Sequence, residues 1–67
     1  MHEYTNLHEL RDALQRSIPD PDKRRLVGIR LMLRTGININ EPSPRHVDNP
    51  VSVSRVLEVI EALGLEL

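Results

Sequence analysis

The fold of this chain is decided by one stretch, which reads Asp20-Pro21-Asp22-Lys23-Arg24-Arg25-Leu26-Val27-Gly28-Ile29-Arg30-Leu31-Met32-Leu33-Arg34-Thr35-Gly36. It predicts a helix over 21–35, because both ends are marked. Asp20 suits the N-cap position, and Pro21 suits the first helical position, where its missing N–H has no consequence. Gly36 can adopt the left-handed conformation that ends many helices.

This central helix is apolar on two sides. At about 100° per residue, one arc roughly 120° wide carries four large apolar residues, and they are Leu26, Ile29, Met32 and Leu33. A second apolar edge holds Val27 and Leu31, and a narrow basic stripe between the two holds Lys23, Arg30 and Arg34. A helix with two apolar sides is usually buried on both. In so short a chain, we expect a second copy to cover one of them.

A further helix is predicted on each flank. The first covers 6–18, where Asn6 and Glu9 resemble a capping box and the apolar residues fall on one face. The third covers 52–63, with Ser52 or Asn49 as the N-cap and Gly64 after its end. Its apolar arc spans roughly 160° and consists of Val53, Val56, Leu57, Val59, Ile60 and Leu63.

The segments between the helices have patterns of their own. Residues 37–40 alternate Ile and Asn, which indicates a short strand with Ile37 and Ile39 facing inward, and residues 65–67 can pair with it as a small β-ribbon. Residues 41–50 contain three prolines and predict a Pro-rich loop without a helix. The predicted fold class is therefore all-α or mainly α, with three helices in a single small domain that spans 1–67.

The composition excludes several classes of protein. The 67 residues include no Cys, Phe or Trp, so disulfides, zinc–cysteine sites and thiol chemistry are excluded. No apolar run approaches the length of a transmembrane helix, and the first residues lack the features of a signal peptide, which favours the cytoplasm. A domain of this size buries only about 60% of its unfolded surface, so a homodimer is the expected extra source of stability.

Charge is strongly segregated along the chain. Residues 23–40 carry one Lys, four Arg and no acid, whereas 1–22 and 41–67 each carry two Arg and five acids, which gives +5 between two flanks of −3. The basic helix either neutralises the acidic flanks, within the fold or across a dimer, or leaves part of its stripe free for an anionic partner such as double-stranded DNA. In the second case the predicted DNA contacts are Lys23, Arg24, Arg30, Arg34 and Arg45.

Catalytic and metal-binding patterns are weak. The three histidines are His2, His8 and His46, and none has the spacing of a known metal motif. There is no Gly-rich phosphate loop and no serine in a nucleophile-elbow context. We therefore expect no enzyme, no cofactor and no metal. Tyr4 is the single aromatic residue, so stacking on single-stranded nucleic acid is also not expected.

The last 19 residues, 49–67, show a partial resemblance to DNA-binding regulators. They begin Asn49-Pro50 and continue through an apolar helix to Ala62-Leu63-Gly64-Leu65, which resembles the closing helix of phage-repressor-like helix-turn-helix proteins. The segment from Ser52 onward also resembles the recognition helix of winged-helix repressors. Both resemblances imply a DNA-associated regulator. Because Glu58 and Glu61 would repel phosphate, the central helix is the expected DNA contact.

Two functions are consistent with these observations. The first is a small DNA-associated regulatory protein that contacts phosphates through its basic central helix. The second is a protein-interaction adaptor, such as an inhibitor, an antitoxin-like partner or an assembly subunit, which docks a protein on the apolar second and third helices. The predicted interface residues are Val27, Leu31, Val56, Val59 and Leu63.

Overall fold

The computed structural model describes residues 4–67 and has a mainly α-helical architecture. Four helices follow one another along the chain: α1 (Leu7–Ser17), α2 (Pro21–Thr35), α3 (Pro44–Val47) and α4 (Pro50–Ala62). The part of the chain that is described contains no β-strand. The predicted fold class is confirmed, and three of the four helices are those predicted.

Helix α1 starts with a side-chain cap. The Asn6 side chain accepts a hydrogen bond from the backbone N–H of Glu9 at 3.0 Å, as the capping-box pattern predicts. The Glu9 carboxylate accepts in return from the N–H of Thr5, also at 3.0 Å, one residue before the N-cap. This backbone hydrogen bond from Thr5 lowers the pKa of Glu9 below its usual value of about 4.5, because it stabilises the ionised form.

Helix α2 has the bounds that its end signals predict. The side chain of Asp20 accepts from the N–H of Asp22 at 2.9 Å, and Pro21 occupies the first turn. At the other end Gly36 takes the left-handed conformation with φ of 72°, and its N–H donates to the carbonyl of Met32 at 2.8 Å. Local hydrogen bonds thus satisfy backbone groups at both ends of the helix.

The segment after α2 is a turn, so the predicted β-ribbon over 37–40 and 65–67 is wrong. The Thr35 hydroxyl donates to the Leu31 carbonyl at 2.6 Å and accepts from the N–H of Ile37 at 3.1 Å. The N–H of Asn40 likewise bonds to a nearby side chain, that of Asn38. These local side-chain bonds occupy backbone groups that a ribbon needs. Ile37 and Ile39 nevertheless face inward as predicted, each 3% exposed.

The Pro-rich segment contains α3, so the prediction of a loop without a helix is also wrong. Pro44 occupies the first turn of α3, where a missing N–H breaks no hydrogen bond. Helix α4 then begins at Pro50, two residues before the predicted start. The reason is that the Asn49 side chain caps it by accepting from the N–H of Val51 at 3.0 Å.

Helix α4 ends in a Schellman motif. The N–H of Leu65 donates to the Ile60 carbonyl at 3.3 Å, and the N–H of Gly64 donates to the Glu61 carbonyl at 3.0 Å. Gly64 has a φ of 78°, which L-residues with a Cβ rarely adopt. The motif turns the chain back, so that Leu65 packs against the core.

Gly64→Ala is expected to lower the free energy of unfolding by about 1–2 kcal/mol. A Cβ at Gly64 would meet no atom within 4 Å, so the loss comes from the backbone conformation alone. Urea denaturation followed by circular dichroism measures it. Gly28→Ala, the same change inside α2, is the control and is expected to raise the midpoint, since alanine favours helix. The new Cβ would lie 3.3 Å from Nδ2 of Asn40, but this side chain is exposed and can move aside. An unchanged midpoint for Gly64→Ala would contradict the positive φ.

The core is built mainly by α1, α4 and the turn after α2. Its buried apolar residues come from four segments, and they are Leu7, Leu10 and Leu14; Leu31; Ile37 and Ile39; and Val53, Val56 and Ile60. Helix α2 contributes one of these, Leu31, although it is the longest helix. The other large apolar residues of α2 are therefore not part of this buried cluster.

Candidate functional site

Helix α2 carries an exposed apolar face. Leu31 is fully buried against the core and Val27 is half-buried beside it. A residue two positions further along a helix points about 200° away, so burying Leu31 turns Leu33 toward solvent. The four residues of the wide apolar arc are exposed as a result, and we call them the outer face: Leu26 (58%), Ile29 (50%), Met32 (42%) and Leu33 (80%).

A cationic border runs along the outer face. Lys23, Arg30 and Arg34 lie within about 40° of one another on the Leu26 side, and all three are exposed. Arg25 lies on the Met32 side, where it pairs with Asp22 at 3.7 Å, and both side chains are more than three-quarters exposed. Such a surface ion pair contributes little to stability.

Within residues 4–67, the acidic flanks of the sequence do not neutralise this border. Among residues 4–67, Lys23, Arg30 and Arg34 form no ion pair, and the ion pair of Arg25 is with Asp22 of the same helix. The other ion pair of this region joins Arg11 and Asp12 within α1. The charge of α2 is therefore available to a partner.

The predicted DNA contacts are not all on one surface. Lys23, Arg30 and Arg34 form one stripe along α2. Arg24 is half-buried and lines a small cavity between α1 and α2, together with Arg11 and Gly28. Arg45 is exposed on α3, which packs against α1 and α4. The structure thus brings three of the five together and separates the other two.

The predicted protein interface needs a correction. Leu31 and Val56 are fully buried in the core of the chain itself, so they present no surface to a partner. Val27, Val59 and Leu63 are half-buried. The reason is that the narrower apolar edge of α2, and not its wider arc, packs against the core. The exposed apolar surface of α2 is the outer face.

One polar contact was not indicated by the sequence. Nδ1 of His46 lies 2.9 Å from the Ser52 hydroxyl, and this hydrogen bond joins α3 to α4. Ser52 is 6% exposed, so the bond satisfies a buried hydroxyl and leaves it without access for a substrate. Six residues and a helix boundary separate the two side chains, and no helical or strand period predicts such a contact.

Metal-ligand and membrane-spanning features can be assessed for residues 4–67. No group of three or more His, Asp or Glu side chains there is arranged to hold a metal ion. His2 lies outside the described residues. No helix in the same region is long and apolar enough to cross a membrane.

Comparison with known proteins leaves the outer face as the main indication of function. No protein-family model matches the chain, and neither the curated proteins nor the solved structures contain a match. The resemblance of residues 49–67 to helix-turn-helix and winged-helix regulators accordingly stays a prediction.

Proposed function

We propose that this chain is a protein-interaction adaptor whose outer face binds an acidic amphipathic helix of a partner protein. The observation that carries this proposal is the exposure of four large apolar side chains on one face of α2, next to Lys23, Arg30 and Arg34, which form no ion pair within residues 4–67. Burying such a face contributes about 25 cal/mol per Å² of apolar area, from which the entropy cost of association is subtracted. Docking of a helix against an apolar surface is a common recognition mode.

The cationic border favours an acidic partner over a second copy of the chain. A stable interface covers about 800 Å² of each partner, roughly a sixth of the 4648 Å² surface of this chain. An interface of that size extends beyond four side chains and includes the border. Two copies paired through α2 would bring their Lys and Arg residues together, whereas glutamates on a partner helix would pair with them. The predicted homodimer is thus the less favoured occupant.

DNA binding is the second candidate, and one observation favours it. Lys23, Arg30 and Arg34 are exposed in one stripe and have no ion pair within residues 4–67. They are spaced about 10 Å and about 6 Å apart along the helix axis, so each of them can contact a different phosphate. The adjacent outer face gives phosphates nothing to bind, so this candidate leaves the four apolar side chains unexplained.

A peptide titration tests the proposal. The probe is a labelled, helix-favouring peptide of about 18 residues with leucines on one face and glutamates on the others. Its control has the same composition in an order that spreads the leucines around the helix. We expect fluorescence anisotropy to detect binding of the first peptide and none of the second, with several-fold weaker binding at moderate salt.

Two further measurements distinguish the adaptor proposal from DNA binding and from a homodimer. A labelled random-sequence duplex is titrated in parallel, and sedimentation equilibrium gives the oligomeric state. Duplex binding that falls steeply with salt, without peptide binding, would support the DNA candidate and overturn the adaptor proposal. A stable dimer that excludes the peptide would assign the outer face to a second copy.

A further inference from the structure

A groove beside the outer face adds detail to the proposed function, on which this inference rests. The groove lies between the end of α1, the first half of α2 and the chain after α4. Its apolar walls are Ile18, Leu26, Val27 and Leu65, and the two cations that line it are Lys23 and Arg30. Leu26 belongs to both surfaces, so the groove is continuous with the outer face.

The walls of the groove are fixed by the ends of two helices. The N–H of Ile18 donates to the Leu14 carbonyl at 2.9 Å, which ends α1 and holds Ile18 against α2. The Schellman motif at Gly64 places Leu65 on the other side. Val27 is half-buried between them. Because these positions are set by backbone hydrogen bonds, the groove exists before a partner arrives.

The size of the groove limits what it can hold. Its volume is about 260 Å³, which is below the 300–1,000 Å³ typical of small-molecule and cofactor sites. A large aliphatic side chain fits within this volume. The apolar walls cannot form hydrogen bonds with an inserted side chain, so an apolar side chain is favoured there over a polar one. We call this inserted side chain the anchor.

The two cations define the charges around the anchor. Lys23 and Arg30 are seven residues apart on α2, or about 10 Å along its axis. On a partner helix, a carboxylate four residues before an anchor and another three residues after it are also seven residues apart. Both carboxylates are neighbours of the anchor on one helix face. The spacing therefore matches one carboxylate to each cation.

We propose that this groove is the anchor site for the partner helix. It takes one Leu, Ile or Met side chain, and Lys23 and Arg30 pair with acidic residues four positions before and three positions after it. The partner segment thus reads acid-x-x-x-aliphatic-x-x-acid, while its remaining apolar residues cover the outer face.

Three peptides test this arrangement. The first carries the acid-x-x-x-Leu-x-x-acid pattern, the second has Ala in place of that Leu, and the third moves the two glutamates to the opposite face at constant composition. We expect the second and third peptides to bind at least about tenfold more weakly than the first, a difference of about 1.4 kcal/mol. Equal affinity of all three would overturn the anchor site.

Methyl chemical shifts separate failure of this inference from failure of the proposed function. The reporters of the groove are Ile18, Val27 and Leu65, and those of the outer face are Ile29, Met32 and Leu33. We expect the first peptide to shift both groups. Shifts confined to the outer face would overturn the anchor site and leave the adaptor proposal standing. No shift in either group, with any peptide, would overturn both.

A pair of charge reversals tests the role of the two cations. Lys23→Glu with Arg30→Glu is expected to weaken the first peptide at least tenfold. The control is Arg16→Glu with Arg45→Glu, which changes the net charge equally at exposed positions outside α2. We expect the control to weaken binding less than threefold. Equal losses would show that only overall charge matters and would overturn the pairing.

Discussion

Leu31→Ala is expected to lower the free energy of unfolding by about 3 kcal/mol, because it leaves a cavity where α2 meets the core. Leu31 is fully buried and is the one residue of α2 in the core cluster. A single small core rarely provides more than about 3–5 kcal/mol of stability. The variant should therefore retain at most about 2 kcal/mol of stability and be partly unfolded at room temperature, which urea titration and circular dichroism will show.

Leu33→Ala is the matched control for this experiment. It removes the same atoms from the same helix two residues further on, but Leu33 is 80% exposed. We expect the free energy of unfolding to change by less than about 0.5 kcal/mol, as for most surface substitutions. The reverse ranking of the two variants would mean that the wide apolar arc of α2 faces the core, and the outer face would not exist.

This pair of variants also marks the limit of what the sequence could predict about the site. Periodicity groups Leu26, Ile29, Met32 and Leu33 on one arc and sets Leu31 apart from them, which the structure confirms. Periodicity does not say which group packs inward, and the larger arc is ordinarily the buried one. Here α1 and α4 fill most of the core, so α2 needs only its narrow edge to complete it.

The fold was more predictable at helix ends, where residues adjacent in sequence determine how the free backbone groups are satisfied. Asp20, Pro21 and Gly36 fixed both ends of α2 because each acts within one turn of its own position. The features that the sequence did not predict depend on competition between two possible local structures. Thr35 and Asn38 bind backbone groups that a strand would use, and Pro44 starts a helix in a segment where prolines argued against one. Ile18 and Leu65 line the same groove, but they are so far apart in the sequence that no local pattern predicts this.

Leu26→Ser combined with Leu33→Ser is expected to weaken binding of the acidic amphipathic peptide at least hundredfold, about 2.7 kcal/mol. The substitutions remove two aliphatic side chains from the outer face, and central apolar contacts commonly dominate the energy of an interface. Both positions are more than half exposed, so the fold loses little beyond the lower helix propensity of serine. Unfolding by urea should confirm that the variant remains folded, and anisotropy measures the affinity.

The serine substitutions preserve every charge, and this separates the two candidate functions. Phosphate contacts by Lys23, Arg30 and Arg34 do not need the outer face, so any affinity for a DNA duplex should be unchanged in the variant.

Val51→Ser is the matched control, because Val51 is an apolar residue that is 73% exposed on α4, outside the outer face. We expect it to bind the peptide as the natural chain does. If the Leu26 and Leu33 variant binds the peptide normally, or if Val51→Ser loses binding equally, the outer face is not the docking surface. In that case the cationic stripe would remain as the better explanation of α2.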